Sequence, residues 1–201
     1  MTIPGFFEGT GMPDSGWWEA LWPDPAKVVS DLGVRPGMNV IDLCSGDGWF
    51  TLQLAKIARR VTAIDIDGNL IEAAKVRLSE RGITNVDFVE ANAYDLAKYV
   101  DQPQDFVLLA NAFHGVSDRP RLSHAVRSAL VPGGLFAIIN WHARPRDETP
   151  VLGQPRGPAT ELRMTAESTI KAVESSDLRH VETVDVSPHH YAAVFKRNAP
   201  A

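Results

Sequence analysis

Short apolar runs alternate with helix-period segments along most of this chain, and this alternation restricts the fold more than any other feature. The runs read MNVIDLC, RVTAIDI, NVDFVE, QDFVLLAN and LFAIINW. Helical segments are predicted between and after them, at about 49–58, 69–81, 94–99, 119–130 and 166–175. Strands that alternate with helices form a largely parallel sheet with both faces covered. The pattern therefore predicts an α/β domain.

Two further alternating segments stand near the end of the chain. They read RHVETVDVS and HHYAAVFKR, and a proline-containing turn joins them. Such a pair is expected to form antiparallel strands at one end of the sheet. No repeat, low-complexity segment or domain linker is visible, so we expect a single domain over residues 1–201.

Composition and charge exclude several classes of function. The 201 residues carry a net charge of −5, without the basic excess that nucleic-acid binding requires. Cys44 is the only cysteine, which excludes an intramolecular disulfide framework and a cysteine-rich zinc site. No spacing of His, Asp or Glu matches a metal-ligand set, so no metal is expected. The N-terminal residues lack the parts of a signal peptide, and no run approaches membrane-spanning length. We expect a cytoplasmic protein without a membrane or nucleic-acid partner.

The stretch VIDLCSGDGWF lies where the first predicted strand passes into the first helix of the core. Gly46 and Gly48 allow a sharp turn and the close approach of a ligand to the backbone. Asp65 ends the second strand 19 residues after Gly46 (65 − 46), which is the placement of a carboxylate that binds ribose hydroxyls. A dinucleotide site needs a third glycine where Thr51 stands, so a nicotinamide oxidoreductase matches poorly. The acidic flanks of the turn favour a cationic ligand.

This set of motifs resembles the class I S-adenosylmethionine-dependent methyltransferases, of the small, single-domain, UbiE-like or type 11 kind. The family turn is hydrophobic-Asp-x-G-x-G-x-G, and here Asp42, Gly46 and Gly48 are in register while Cys44 replaces the first glycine. Cysteine at that position removes the freedom for positive φ. VTAIDID, FVEANAYDL, QDFVLLANAFHGV and LVPGGLFAIINW resemble the later family segments in order.

The resemblance implies a fold and a set of cofactor-binding residues. The fold is a Rossmann-like three-layer sandwich with a seven-stranded sheet in the order 3-2-1-4-5-7-6, strand 7 being antiparallel. The segments would be an N-terminal helical lid at 1–35, a cofactor-binding core at 36–142, a substrate-side loop at 143–165, and a helix with the terminal strand pair at 166–201. The cofactor would be S-adenosyl-L-methionine, with S-adenosyl-L-homocysteine as product. Its expected contacts are Asp42, Cys44, Gly46, Gly48, Asp65, Ile66, Asn92, Ala93 and Asn111.

Methyl transfer from a sulfonium needs alignment and exclusion of water, and it needs a general base only where the acceptor carries a proton. His114, with Asn111 beside it, is our first candidate for the general base, and His142 is the second. For each histidine the alternative is a loop residue that only forms a hydrogen bond with the backbone, and this alternative has about equal weight.

The acceptor pocket must come from segments outside the core. Trp17, Trp18, Trp22 and Trp141 are candidate substrate contacts, although tryptophans before the first strand could equally anchor a helix to the sheet. Arg144 and Arg156 suggest an anionic acceptor, against the alternative of a solvated loop.

The sequence predicts an enzyme that methylates a small molecule, but it leaves the acceptor, the methylated element and the oligomeric state open. Three alternatives remain: a nicotinamide oxidoreductase, a methyltransferase-like binding protein without catalysis, and a protein-modifying methyltransferase that attracts a basic substrate.

Overall fold

A seven-stranded sheet with helices on both faces forms the protein, as seen in a computed structural model that describes residues 4–174 and 176–199. The strand order is β3-β2-β1-β4-β5-β9-β8, and β9 runs antiparallel to both neighbours. Two strands of two residues each, β6 and β7, form a separate small hairpin, so the last two strands of the main sheet are numbered β8 and β9. The predicted order 3-2-1-4-5-7-6 is therefore confirmed, with β8 and β9 as the sixth and seventh strands of the main sheet. The strands are β1 Asn39–Leu43, β2 Arg60–Asp65, β3 Val86–Glu90, β4 Gln104–Ala110, β5 Leu130–Trp141, β6 Pro150–Val151, β7 Gln154–Pro155, β8 Leu178–Ser187 and β9 His190–Arg197.

Residues 4–174 and 176–199 also contain six α-helices and four short 3-10 helices. The α-helices are α1 Ser15–Leu21, α2 Pro25–Asp31, α3 Trp49–Ile57, α4 Gly68–Ser79, α5 Arg119–Ala129 and α6 Ala166–Glu174. The 3-10 helices are Ala93–Lys98, Phe113–Gly115, Arg146–Glu148 and Thr160–Leu162. An aspartate side chain accepts a backbone N–H in the first turn of α1, α2, α4 and α5. These N-caps explain why the four helices begin where they do.

Neighbouring residues of the central strands pack on opposite faces of the sheet. Val40 and Phe106 lie in a core with α1, α2 and α3, whereas Ile41 and Val107 lie in a core with α5 and α6. Because both faces are covered, the central strands are apolar at almost every position. This explains why their sequences are continuous apolar runs.

Three segments differ from their sequence-based boundaries. β5 begins at Leu130 and includes the PGG turn, because its first residues already pair with β4. α4 ends at Ser79 instead of residue 81. The predicted loop at 143–165 contains the β6–β7 hairpin and two of the 3-10 helices. Ser175, at the predicted end of α6, lies outside the described residues, as do residues 1–3 and 200–201 of the predicted terminal segments.

Within residues 4–174 and 176–199, no helix is long and apolar enough to cross a membrane. The same part of the chain contains no group of three or more potential metal ligands from His, Cys, Asp and Glu.

Candidate active site

A cavity lies at the carboxyl ends of β1, β2 and β4, where open α/β sheets bind ligands. Residues 5–13, here called the N-terminal cover, pass over it, and part of the segment after β5 closes one side. The predicted site residues that line it are Trp17, Trp18, Asp42, Cys44, Gly46, Asp65, Ile66, Ala93, Asn111, His114 and Trp141. The structure therefore brings eleven of the predicted residues together in one cavity.

The turn between β1 and α3 has a left-handed backbone at three residues: φ is +58° at Cys44, +56° at Gly46 and +81° at Gly48. The expectation that cysteine would not adopt positive φ at position 44 is wrong. A non-glycine residue pays for this conformation in strain, and strained residues persist where the surroundings fix them. The turn thus has a left-handed backbone at position 44 although no glycine stands there.

The two glycines of the turn have different roles. A Cβ atom on Gly46 would lie 2.9 Å from the sulfur of Met12, in the N-terminal cover, so Gly46 faces the cavity. A Cβ atom on Gly48 would lie 3.0 Å from the side chains of Ala74 and Leu78. Gly48 therefore allows α3 and α4 to pack closely. The sequence predicted that Gly48 contacts the cofactor, but in the structure it does not line the cavity.

Asp65 is held by backbone donors at the end of β2. One oxygen accepts the N–H of Gly46 at 2.8 Å and the other accepts the N–H of Asp67 at 2.9 Å. Burial raises the pKa of the Asp65 carboxyl, while these backbone donors oppose the change. Each oxygen retains acceptor capacity, so the side chain is fixed in place and can still accept two hydroxyl groups.

Asp42 is the second carboxyl group in the cavity lining, and it is 2% exposed. The hydroxyl group of Thr51 donates to it at 2.6 Å. Burial raises the pKa of Asp42 to about 7, since a charge there loses its hydration. Asp47, the other acidic residue of the turn, forms an ion pair with Arg77 and does not line the cavity. Only one of the two acidic residues that flank the turn therefore lines the cavity.

The predicted adenine segment is only partly at the cavity. Ala93 and Ile66 line it. Asn92 does not, because its side-chain oxygen accepts the N–H of Tyr94 at 3.0 Å and caps the following 3-10 helix.

Asn111 follows β4 and combines two unusual features. Its φ is +58°, and its backbone N–H donates to the carbonyl of Ile139 at 2.8 Å. Both polar atoms of its side chain are buried and find no hydrogen-bond partner among the described residues. Buried polar groups are normally satisfied, and exceptions concentrate at functional sites. Asn111 is thus a candidate for direct contact with a ligand or a bound water.

His114 lies in the 3-10 helix after β4, where it is 4% exposed. Its Nε2 is 3.2 Å from the carbonyl oxygen of Gly9, in the N-terminal cover. A carbonyl only accepts, so Nε2 carries the proton and Nδ1 is the free basic atom. Burial lowers the pKa of His114, and the charges of Arg119 and Arg163 act in the same direction. Nδ1 is buried without a partner in the described chain, which suits a general base.

His142, the second candidate base, does not reach the cavity. Its side chain is 22% exposed and its Nε2 lies 3.2 Å from the carboxylate of Asp185 on β8. Burial lowers its pKa, and Asp185 opposes this. Its contacts with Asp185 and with the ring of Tyr191 show that the side chain lies against the β8–β9 strand pair.

The tryptophans divide between the cavity and the core. Trp17, Trp18 and Trp141 line the cavity, together with Trp49, which the sequence analysis did not select. Trp22 is 2% exposed and does not line it; its ring packs against Phe50 at 5.1 Å and His190 at 4.6 Å between ring centroids. The anchoring role is thus the one that Trp22 has in this structure.

Neither predicted arginine lines the cavity. Arg144 is exposed and donates to the carbonyl of Pro188 at 3.5 Å, whereas Arg156 lies over the ring of Trp17. The more buried arginine is Arg163, which is 8% exposed. Its guanidinium donates to oxygens of Arg144, Thr149, Arg156 and Pro158 and so holds the segment that places Gly157 and Pro158 at the cavity.

The sequence analysis placed a lid at 1–35, but it named none of the lining residues of the N-terminal cover. Eight of its residues line the cavity, and its backbone at Glu8 packs directly on Gly115, where no Cβ would fit. One sequence feature could have indicated these contacts: Gly5, Gly9 and Gly11 lie close together in GFFEGTGMP, and glycines permit close contact between backbone segments.

Comparison with known proteins agrees with this geometry. Residues 40–134 match the family model described as a methyltransferase domain. This part of the chain is therefore similar to methyltransferase domains. A SAM dependent methyltransferase from Aquifex aeolicus shares the fold, with a TM-score of 0.77 and 23% identity over 92% of this chain and 94% of that one.

Two relatives are similar to this chain in sequence. The tRNA 5-carboxymethoxyuridine methyltransferase of Escherichia coli (strain K12) is 26% identical over 61% of this chain and 47% of that protein. A 2-phytyl-1,4-naphtoquinone methyltransferase of a Nostoc species is 32% identical over 64% of this chain and 56% of that protein. The chain spans about half the length of the curated relatives it matches.

Proposed function

We propose that this protein transfers a methyl group from S-adenosylmethionine to a small-molecule acceptor by in-line displacement. The observation that carries the proposal is the carboxylate of Asp65, fixed by the N–H groups of Gly46 and Asp67 and lining the cavity next to the glycine turn. A carboxylate at this position of the sheet suits the two hydroxyl groups of a ribose.

The residues present fit this cofactor. Gly46 leaves a cradle that a Cβ would fill, and Asp42 offers a carboxyl group to the ammonium of the methionine end. Ile66 and Ala93 supply apolar contacts for adenine. When bound, S-adenosylmethionine supplies a methyl group on a positively charged sulfur.

Asn111 and His114 are proposed to face the reacting atoms. Asn111 would orient the acceptor through its unpartnered amide. His114 would take a proton at Nδ1 where the acceptor carries one, because its Nε2–H is used by Gly9. The N-terminal cover and the four tryptophans would keep water away from the displacement.

A small acceptor is favoured over nucleic acid. One relative is named for a tRNA nucleoside and another for a naphthoquinone. The net charge of −5 and a cavity lining that contains no lysine or arginine among the described residues favour the second kind of substrate. A cytoplasmic location stays a prediction.

The nicotinamide alternative has little support in this geometry. Thr51, which stands in place of the third glycine, is fully buried and its hydroxyl group is used by Asp42. A dinucleotide would also meet the carboxyl of Asp42 near its pyrophosphate, which costs electrostatic energy.

Calorimetric titration tests the proposal. S-adenosylhomocysteine and S-adenosylmethionine are expected to bind with one site each, and NAD is expected not to bind. Formation of S-adenosylhomocysteine during turnover with acceptors would then separate the enzyme from a binding protein that only retains the cofactor. Binding of NAD without the adenosyl ligands would overturn the proposal.

A further inference from the structure

The N-terminal cover supplies the only hydrogen-bond partner that the ring of His114 has in the described part of the chain. Nε2 lies 3.2 Å from the carbonyl oxygen of Gly9, and Nδ1 is buried without a partner. A Cβ atom on Gly9 would lie 3.3 Å from the same Nε2 atom, so the two segments are in direct contact. The tautomer of His114 therefore depends on where the cover lies.

The backbone of His114 is fixed separately, by the first residue of α5. The guanidinium of Arg119 donates to the carbonyl oxygens of His114 at 2.9 Å and of Phe113 at 3.4 Å. The guanidinium carbon also lies 5.8 Å from the centroid of the Phe113 ring. These contacts hold the 3-10 helix in place from outside the cover, but they do not determine which ring nitrogen of His114 carries the proton.

The cover meets this 3-10 helix at a position where a side chain would not fit. A Cβ atom on Gly115 would lie 2.1 Å from the carbonyl oxygen of Glu8 and 2.8 Å from its backbone nitrogen. The φ of Gly115 lies outside the left-handed region, so alanine can adopt the same backbone without strain. The absence of a side chain at position 115 is therefore required by the contact with the cover and not by the local turn.

We propose that Gly115 is a positioning residue for the base His114; this inference rests on the proposed function. Gly115 lets the cover dock at Glu8, and the docked cover places the carbonyl of Gly9 on Nε2 of His114. A neutral histidine can carry its proton on either nitrogen, and an acceptor at one of them selects the tautomer. Nδ1 is thus the basic atom when the cover is docked. Proton removal is thereby restricted to the state in which the cavity is closed to water.

Docking of the cover also affects the pKa of His114. Burial lowers that pKa and the charges of Arg119 and Arg163 lower it further, whereas the hydrogen bond with Gly9 opposes the change. The charge of His114 in turn lowers the pKa of His190 on β9. Displacement of the cover would expose the ring to water and leave both arginines in place. The pKa of His114 should then rise toward its ordinary value.

NMR spectra of protein labelled at the histidine ring nitrogens test this inference without cofactor or acceptor. The signals of His114 are identified by their loss in His114→Gln. We expect the Nε2–H tautomer in the unmodified protein above the pKa of His114. Gly115→Ala should show both tautomers and a pKa closer to 6.5, and amide exchange at residues 5–13 should become about tenfold faster. Gly16→Ala is the matched control, because Gly16 is exposed in α1 and its Cβ would make only an ordinary contact; it should change none of these.

Two variants of His114 test the same coupling from the other side. Glutamine keeps an N–H donor close to the position of Nε2 and can retain the bond to Gly9, whereas asparagine is one methylene shorter and cannot reach it. We therefore expect His114→Asn to speed amide exchange at residues 5–13 and His114→Gln to leave it unchanged. This comparison decides the question if Gly115→Ala does not fold.

The outcomes separate this inference from the proposed function. An Nδ1–H tautomer in the unmodified protein overturns the inference, as does a tautomer and pKa of His114 that are unchanged in folded Gly115→Ala. Equal exchange rates at residues 5–13 in His114→Asn and His114→Gln would also overturn it. None of these measurements requires the cofactor, whereas failure of S-adenosylhomocysteine to bind would contradict the proposed function and leave them unchanged.

Discussion

The carboxylate of Asp65 accepts the backbone N–H of Gly46 at 2.8 Å, and this bond joins the end of β2 to the turn after β1. It fixes the distance between the proposed ribose site and the proposed methionine site. Because the bond uses a backbone donor, the turn must keep its shape for the carboxylate to stay in position.

Gly46→Ala should therefore weaken S-adenosylhomocysteine binding. Its φ of +56° is strained for alanine, and the new Cβ would press on Met12 in the N-terminal cover. We expect a loss of about 1 kcal/mol in the free energy of unfolding and a fall of about tenfold or more in affinity. Gly153→Ala is a control with positive φ in the loop of the β6–β7 hairpin, where no atom would meet the Cβ. It should lose comparable stability and keep the affinity; equal losses of affinity in both variants would contradict the assignment.

Asp42 should make both stability and cofactor binding depend on pH. Its folded pKa of about 7 lies above the unfolded value of 3.8, so the folded state binds the extra proton between them. The contribution of Asp42 to the free energy of unfolding of the unliganded protein therefore falls as the pH rises from 4 to 7. Asp42→Asn should remove this contribution and raise the unfolding midpoint at pH 8 by a few degrees.

Ionisation of Asp42 should have the opposite effect on cofactor affinity, which should increase with pH. The affinity for S-adenosylmethionine should rise between pH 6 and pH 8 as Asp42 ionises beside the ammonium group, and Asp42→Asn should abolish the rise. Calorimetry at the two pH values measures this. An affinity independent of pH in the unmodified protein would show that Asp42 does not contact the ligand.

His114→Gln should slow methylation of a hydroxyl acceptor by about 100-fold or more while leaving the affinity for S-adenosylhomocysteine unchanged. Burial lowers the pKa of His114, so the basic form persists below its ordinary value of 6.5. In the unmodified enzyme kcat should accordingly stay level from pH 8 to below pH 6.5 and then fall. His142→Gln, outside the cavity, is the matched control. An equal loss of kcat in both variants would contradict the role of His114.

Arg163→Lys should loosen the segment between β5 and α6. A lysine cannot reach the four oxygens that the guanidinium joins, and hydrogen bonds from charged groups contribute about 1.5–3 kcal/mol each. We expect a lower unfolding midpoint and faster amide exchange at residues 144–158. Arg144→Lys, at an exposed position with one long hydrogen bond, should change neither. Unchanged exchange in Arg163→Lys would contradict the bracing role.

The order of the main elements was predictable because it depends on local periodicity. The buried strands around Ile41 and Val107 are apolar on both faces, and the order of the family motifs then determined the sheet order. Asp65 was predictable for the same reason, since a strand end fixes its position relative to the turn.

The remaining parts of the site depend on contacts between distant segments. Asn92 stands where the resemblance places the adenine pocket, but its side-chain oxygen caps the following 3-10 helix. The contact of Arg156 with the ring of Trp17 was likewise not predictable, because it depends on how the segment after β5 folds back onto α1. Pairing of Asp47 with Arg77 and of Gly9 with His114 likewise joins residues far apart in sequence. Such contacts have no periodic signature.

The central claim is that Asp65 binds the ribose of S-adenosylmethionine, and titration of Asp65→Ala with S-adenosylhomocysteine tests it most directly. Asp185→Ala, which removes an exposed carboxylate on β8, is the control. We predict that Asp65→Ala loses about 100-fold or more in affinity while remaining folded, and that Asp185→Ala binds normally. Unchanged affinity in folded Asp65→Ala would contradict the account.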